Sequence, residues 1–129
     1  MQSFKSVFAD IPEVMLAYQF GSQVTGNTGP LSDYDFAVYF NPADYTQNTS
    51  NQLDFRLKLL SQLAKIIKTD KIDLVVLNDD ISPELKFAII DKGKLIHVVE
   101  PYQVLIEPKI INEYIEFKES LRRYDLTKG

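Results

Sequence analysis

An α/β (α+β) fold, a single mixed β-sheet packed with helices, is what this sequence predicts. Three observations lead there. Short apolar runs of strand length recur along the chain. Between them lie segments whose apolar residues return at three- and four-residue steps, as on one face of a helix. The chain has 129 residues, 45% hydrophobic and 25% charged, which suits one domain (1–129) with a core of its own.

Phe4, Val7, Phe8, Ile11 and Val14 follow helical steps, so a short helix is expected within residues 1–15, limited by Pro12. Leu16 to Phe20 is a compact apolar run closed by Gly21 and reads as a strand. Gly21 to Ser32 contains three glycines, Pro30 and several Ser, Thr and Asn, which is loop chemistry. Tyr34 to Phe40 is a buried strand ended by Asn41-Pro42. Residues 43–51 are polar and loop-like. Leu53, Leu57, Leu60, Ala64 and Ile67 then line one face of a helix, flanked by Leu59, Leu63 and Ile66. Lys71 to Leu77 is a nearly continuous apolar strand. Ser82 as N-cap and Pro83 at the first position open a short helix to Ile90, which Gly93 stops. Leu95 to Val99 is the last strand, completing a core at about 16–99. A closing helix follows Pro108, at about 109–124, with Ile111, Tyr114, Ile115, Lys118 and Leu121 as its inner face.

Composition removes several function classes. There is no cysteine and one histidine, so a disulfide scaffold, a thiolate zinc site, a cysteine nucleophile and a multi-histidine metal site are excluded. Fourteen Lys+Arg against eighteen Asp+Glu give a net charge of -4, which argues against strong direct binding to nucleic acid. No apolar run approaches the roughly 20 residues of a membrane span. Met1 to Lys5 lacks the pattern of a signal peptide, so a cytoplasmic location is expected.

One constellation stands above this background. Gly21-Ser22 follows directly on a strand, and ten residues separate Ser22 from Asp33, which opens Asp33-Tyr34-Asp35. Carboxylates at i and i+2 of a strand project to one face, with Tyr34 turned the other way into the core. Like charges side by side are costly unless neutralised, and oxygen-only ligation of this kind suits Mg²⁺ or Mn²⁺. Asp73 is a charge out of place in an apolar strand. If that strand lies beside Tyr34–Phe40, Asp73 completes a carboxylate trio able to hold two metal ions about a phosphate. Gly21 gives the turn freedom to bring backbone N–H groups to a phosphate, and Ser22 offers a hydroxyl. Each piece has a plainer reading. Asp-x-Asp is a common turn or capping feature, Gly-Ser a common loop dipeptide, and Asp73 a partner for Lys71. Their combination in this order is far more specific than any one of them.

Phe20-Gly21-Ser22 with Leu31-Ser32-Asp33-Tyr34-Asp35-Phe36-Ala37-Val38 resembles the signature of the DNA polymerase β-like nucleotidyltransferase superfamily. Within it the chain is similar to the minimal nucleotidyltransferases, in particular the antitoxin of the HEPN–MNT toxin–antitoxin pair, from about Leu16 to Val99. The resemblance implies the minimal form of that fold and Mg²⁺-dependent transfer of a nucleoside monophosphate from ATP, with two ions. It matches Asp33, Asp35 and Asp73 to the catalytic metal ligands and Gly21 and Ser22 to the phosphate-contacting pair. It implies a HEPN-type RNase toxin as partner, with a tyrosine of the toxin receiving AMP and the toxin thereby silenced. Many members read Gly-Ser-x-Ala-Arg-Gly, whereas this chain has Thr25 at the arginine position. Two alternatives stand beside this expectation: an antitoxin that only binds and blocks its toxin, and a nucleotidyltransferase acting on a small molecule.

Three further features have plainer readings. His97 reads as a surface or hydrogen-bonded sheet residue, Asp79-Asp80 as loop capping, and Tyr45 as a loop residue and candidate interface anchor.

Overall fold

A computed structural model describes residues 4–21, 34–46, 48–69 and 71–128. The elements run α1 (Phe4–Ala9), β1 (Val14–Phe20), β2 (Tyr34–Phe40), α2 (Thr49–Ile67), β3 (Ile72–Val76), α3 (Pro83–Lys92), β4 (Lys94–Val98) and α4 (Tyr102–Lys128). The strands form one mixed sheet in the order β3-β2-β1-β4. β1 runs antiparallel to both β2 and β4, and β2 runs parallel to β3. The parallel pair follows from the chain between its strands: α2 is long enough to return it to the starting end of the sheet.

Alternation along β2 sorts its side chains between two layers. Phe36, Val38 and Phe40 enter one core with Phe8 of α1 and Leu59 and Leu63 of α2. Ala37 enters the other with Leu16, Tyr18, Leu77 and Ile89 of α3, against which Ile106 of α4 packs. Helices thus cover both faces, and β2, paired on both edges, is apolar on both faces along most of its length.

The observed elements shift several sequence boundaries. β1 begins at Val14, which the helical spacing assigned to α1. α1 ends at Ala9, before Pro12. α2 starts at Thr49 rather than at Leu53, because the Asn48 side chain accepts hydrogen bonds from the N–H groups of Ser50 and Asn51. Its buried face is Phe55, Leu59 and Leu63, whereas Leu53 and Leu57 are 52% and 55% exposed. α4 starts at Tyr102 and runs through Pro108. The missing N–H of Pro108 falls on the outer side, where Val104 is 70% exposed. The inner face of α4 is Ile106, Ile110 and Tyr114, the last stacked on Phe87 of α3 at 4.2 Å between ring centres. Ile111, Ile115 and Leu121 are 38%, 52% and 43% exposed, contrary to the expected stripe.

Two devices hold the far end of the β2–β3 pair. Asn78 accepts from the Phe40 N–H at 2.9 Å and donates to the Phe40 carbonyl at 2.8 Å. Asp79 accepts from the Tyr45 hydroxyl at 2.8 Å and from Arg56 of α2 at 2.7 Å. Tyr45 is therefore a core residue, 7% exposed and stacked on Phe40, rather than an interface anchor. Asn78→Ala leaves both polar groups of Phe40 without their side-chain partner, and a loss of about 1–3 kcal/mol in urea unfolding is expected.

Candidate active site

The parallel pairing of β2 with β3 creates the site. Tyr34 donates its N–H to the Lys71 carbonyl at 3.0 Å, and the Leu77 N–H donates to the Val38 carbonyl at 2.8 Å. Those bonds bracket the pair, and between them Asp35 is the direct register partner of Asp73. Each is the second residue of its strand. Parallel strands start at the same end of a sheet, so two carboxylates at equal positions meet there. Neighbouring strands lie about 4.8 Å apart, and register partners face the same way. Asp35 is half-buried and Asp73 is exposed on β3, the edge strand.

On its other side Asp35 pairs with Phe20, the last residue of β1. Gly21 follows with φ of 81°, in the left-handed region that favours glycine. A Cβ on Gly21 would overlap Asp35 Oδ2 and lie 3.1 Å from Asp35 Cγ. The turn backbone therefore rests directly against the Asp35 carboxyl group. Phe20, Asp35 and Asp73 form one row across three strands, on the face that α3 and α4 cover further along.

Of the five residues expected to form the site, Gly21, Asp35 and Asp73 are brought together. Ser22 and Asp33 lie outside the described residues, as does Thr25. Among the described residues no three His, Cys, Asp or Glu side chains gather to hold a metal; the described acidic set is the Asp35–Asp73 pair. Tyr34 points away from the pair, as alternation predicts, and packs edge-on to Phe4 at 6.2 Å.

Sequence reasoning missed the tie that holds α4 over this face. Tyr18, 2% exposed in β1, donates its hydroxyl to Glu107 of α4 at 2.5 Å. Burial first, and then the Glu107 carboxylate, push the Tyr18 phenol far above its ordinary value, so it stays a donor. A tyrosine in an apolar strand and a glutamate next to the inner stripe of α4 were the available signals.

His97 hydrogen-bonds to the backbone of Val14 and is half-buried in β4, away from the carboxylate pair. Desolvation lowers its pKa, against the raising effect of that bond and with help from Lys5. The folded state thus prefers neutral imidazole. The stabilising contribution is present above the ordinary value of about 6.5 and is lost as pH falls from there towards the folded value. Urea midpoints between about pH 8 and about pH 5 should fall less steeply in His97→Gln than in the unmodified chain.

Residues 2–100 match the family model described as polymerase beta, nucleotidyltransferase. A curated relative, the protein adenylyltransferase MntA of Aphanizomenon flos-aquae, is 37% identical over 70 residues, covering 53% of this chain and 47% of that protein. The chain thus spans about half the length of the curated relative it matches. A crystal structure of a toxin–antitoxin with AMP-PNP superimposes with a TM-score of 0.70 at 26% identity, covering 96% of this chain and 94% of the other. A structure of a tri-AMPylated Shewanella oneidensis HEPN toxin in complex with its MNT antitoxin gives a TM-score of 0.64 at 25% identity, covering 96% and 92%. Matched by that model over residues 2–100, the chain belongs to the polymerase β nucleotidyltransferase family.

Proposed function

We propose that this protein is an antitoxin that transfers AMP from ATP to a tyrosine of a HEPN-type RNase toxin. The observation that carries this reading is the register pairing of Asp35 with Asp73 beside the Gly21 turn, in a chain of this family. The relatives supply the rest: a protein adenylyltransferase, a toxin–antitoxin with AMP-PNP, and an AMPylated HEPN toxin with its MNT antitoxin.

The donor set suits magnesium. Carboxylate oxygens are hard ligands, and two on adjacent strands offer the charge density such an ion needs. Asp33, Asp35 and Asp73 would hold up to two ions, which supply neutralisation of the triphosphate charge when bound. Gly21 and Ser22 orient the phosphates through backbone N–H and hydroxyl donors. The tyrosine hydroxyl oxygen bonds to the α-phosphorus, the bond to the β-phosphate oxygen breaks, and pyrophosphate leaves. Asp73 takes the hydroxyl proton. Its exposure on an edge strand leaves it open to an acceptor that another protein brings. AMP placed on the toxin adds bulk and negative charge where RNA must bind.

The reading places the protein in the cytoplasm with its toxin. Among the described residues no helix is long and apolar enough to cross a membrane.

Incubation of the chain with its HEPN partner, Mg²⁺ and α-labelled ATP tests the proposal. Label on a toxin tyrosine is the expected result, with the toxin's mass rising in steps of one AMP. Neutralisation of the toxin with no label would show an antitoxin that acts by binding alone. Label found only on a small molecule would make that the acceptor.

A further inference from the structure

A cavity lies at the other end of the β2–β3 pair, with a volume of about 710 Å³. That is the size of an ordinary small-molecule site. Tyr39 and Leu77 contribute to its wall. Tyr39 is four residues beyond Asp35 and Leu77 four beyond Asp73, so the cavity sits on the same face, roughly 13 Å along the strands from the acidic pair.

Its lining combines three chemistries. The apolar part includes Leu77 and Ile110, both buried, beside the half-buried ring of Tyr39. Two cations, Lys86 of α3 and Lys109 of α4, reach it from different helices. Asp80 and Glu113 add carboxylates. Among the described residues none of these four charged groups has an ion-pair partner; the ion pairs there are Arg56–Asp79 and Arg122–Glu119. The rim is built before any ligand arrives. Asn78 is held by both polar groups of Phe40, and Asp79 by Tyr45 and Arg56.

A purely anionic ligand would satisfy the lysines and meet Asp80 and Glu113 with repulsion. A purely cationic one would do the reverse. A nucleoside monophosphate answers all three parts. Its phosphate takes the two ammonium groups, its ribose hydroxyls donate to a carboxylate, and its base lies against Tyr39 and the apolar wall. We propose that this cavity is a second nucleotide site, for a nucleoside monophosphate, distinct from the acidic row that would perform transfer. The proposal does not rest on the transfer reading, because occupancy is measured without catalysis.

Calorimetric titration of the full chain with AMP in EDTA provides the test, run on the unmodified chain, Asp35→Asn and the double variant Lys86→Ala with Lys109→Ala. The expected result is one saturable AMP site of equal affinity in the unmodified chain and in Asp35→Asn. The double lysine variant should bind at least tenfold more weakly, and adenosine or inorganic phosphate alone should bind more weakly than AMP. The lysine variant should also keep the transfer activity of the unmodified chain, so failure here and failure of the transfer reading are told apart. Three outcomes overturn the proposal: no saturable binding without metal, binding indifferent to the lysines, or binding lost in Asp35→Asn.

Discussion

Asp35→Asn is expected to reduce AMP transfer by about a thousandfold or more, because it removes a carboxylate that would hold the cation neutralising the triphosphate. Asp73→Asn should cost a comparable amount. The double variant should be hardly worse than either single one, since groups acting as one unit lose their effect together. Register pairing is the reason to expect this: Asp35 and Asp73 face one way from neighbouring strands, so in the proposed reaction both would serve the same phosphate. Initial rates of label transfer to the toxin measure the effect, with circular dichroism to establish folding. Melting temperature offers a second readout. Mg²⁺ should raise it in the unmodified chain by preferential binding to the folded state, and that rise should shrink in Asp35→Asn. A variant that keeps the transfer rate would remove the acidic pair from the chemistry.

Most of this strand arrangement is legible in the sequence, for reasons that particular residues show. β2 and β3 announce themselves because a strand buried on both faces must be apolar on both, as Tyr34–Phe40 and Ile72–Val76 nearly are. A lone carboxylate in each run then has no packing reason to be there. What the sequence could not express was which of two apolar stripes a helix buries. α4 carries Ile110 next to Ile111 and Tyr114 next to Ile115, and a rotation of one residue, about 100°, exchanges one stripe for the other. The Tyr114–Phe87 stack and the Tyr18–Glu107 hydrogen bond decide it, and both are contacts between distant parts of the chain. The same holds in α2, where Leu59 and Leu63 face Phe36 and Phe40 while Leu53 and Leu57 remain outside.

Helix starts failed for a different reason. Polar first turns resemble loops in composition, so Thr49–Asn51 reads as loop although Asn48 caps it. Proline misled in the opposite direction. Pro108 looks like a boundary, yet the residue one turn earlier, Val104, lies on the exposed side, and the helix continues. Asp79 reads in the sequence as loop capping, but its role is larger than a cap. It joins Tyr45 to Arg56 and so ties the end of β3 to α2.

Gly21→Ala tests the geometry that the carboxylates depend upon, without changing any charged group. Two separate penalties arise. The left-handed backbone at φ of 81° costs a non-glycine residue about 1–2 kcal/mol. The new methyl group also takes the space now held by Asp35 Oδ2. The carboxyl group cannot remain where it is, and neither backbone can retreat easily, because Phe20 and Asp35 are paired in the sheet. Displacement of a catalytic group by about 1 Å costs roughly a hundredfold in rate. Transfer should therefore fall by about that factor, while unfolding in urea shifts by no more than the backbone penalty. Asn at the same position separates the two effects. It tolerates the left-handed region better than Ala yet still carries a Cβ, so Gly21→Asn should recover stability and not transfer. Recovery of transfer along with stability would show that Gly21 serves the turn alone and leaves Asp35 untouched.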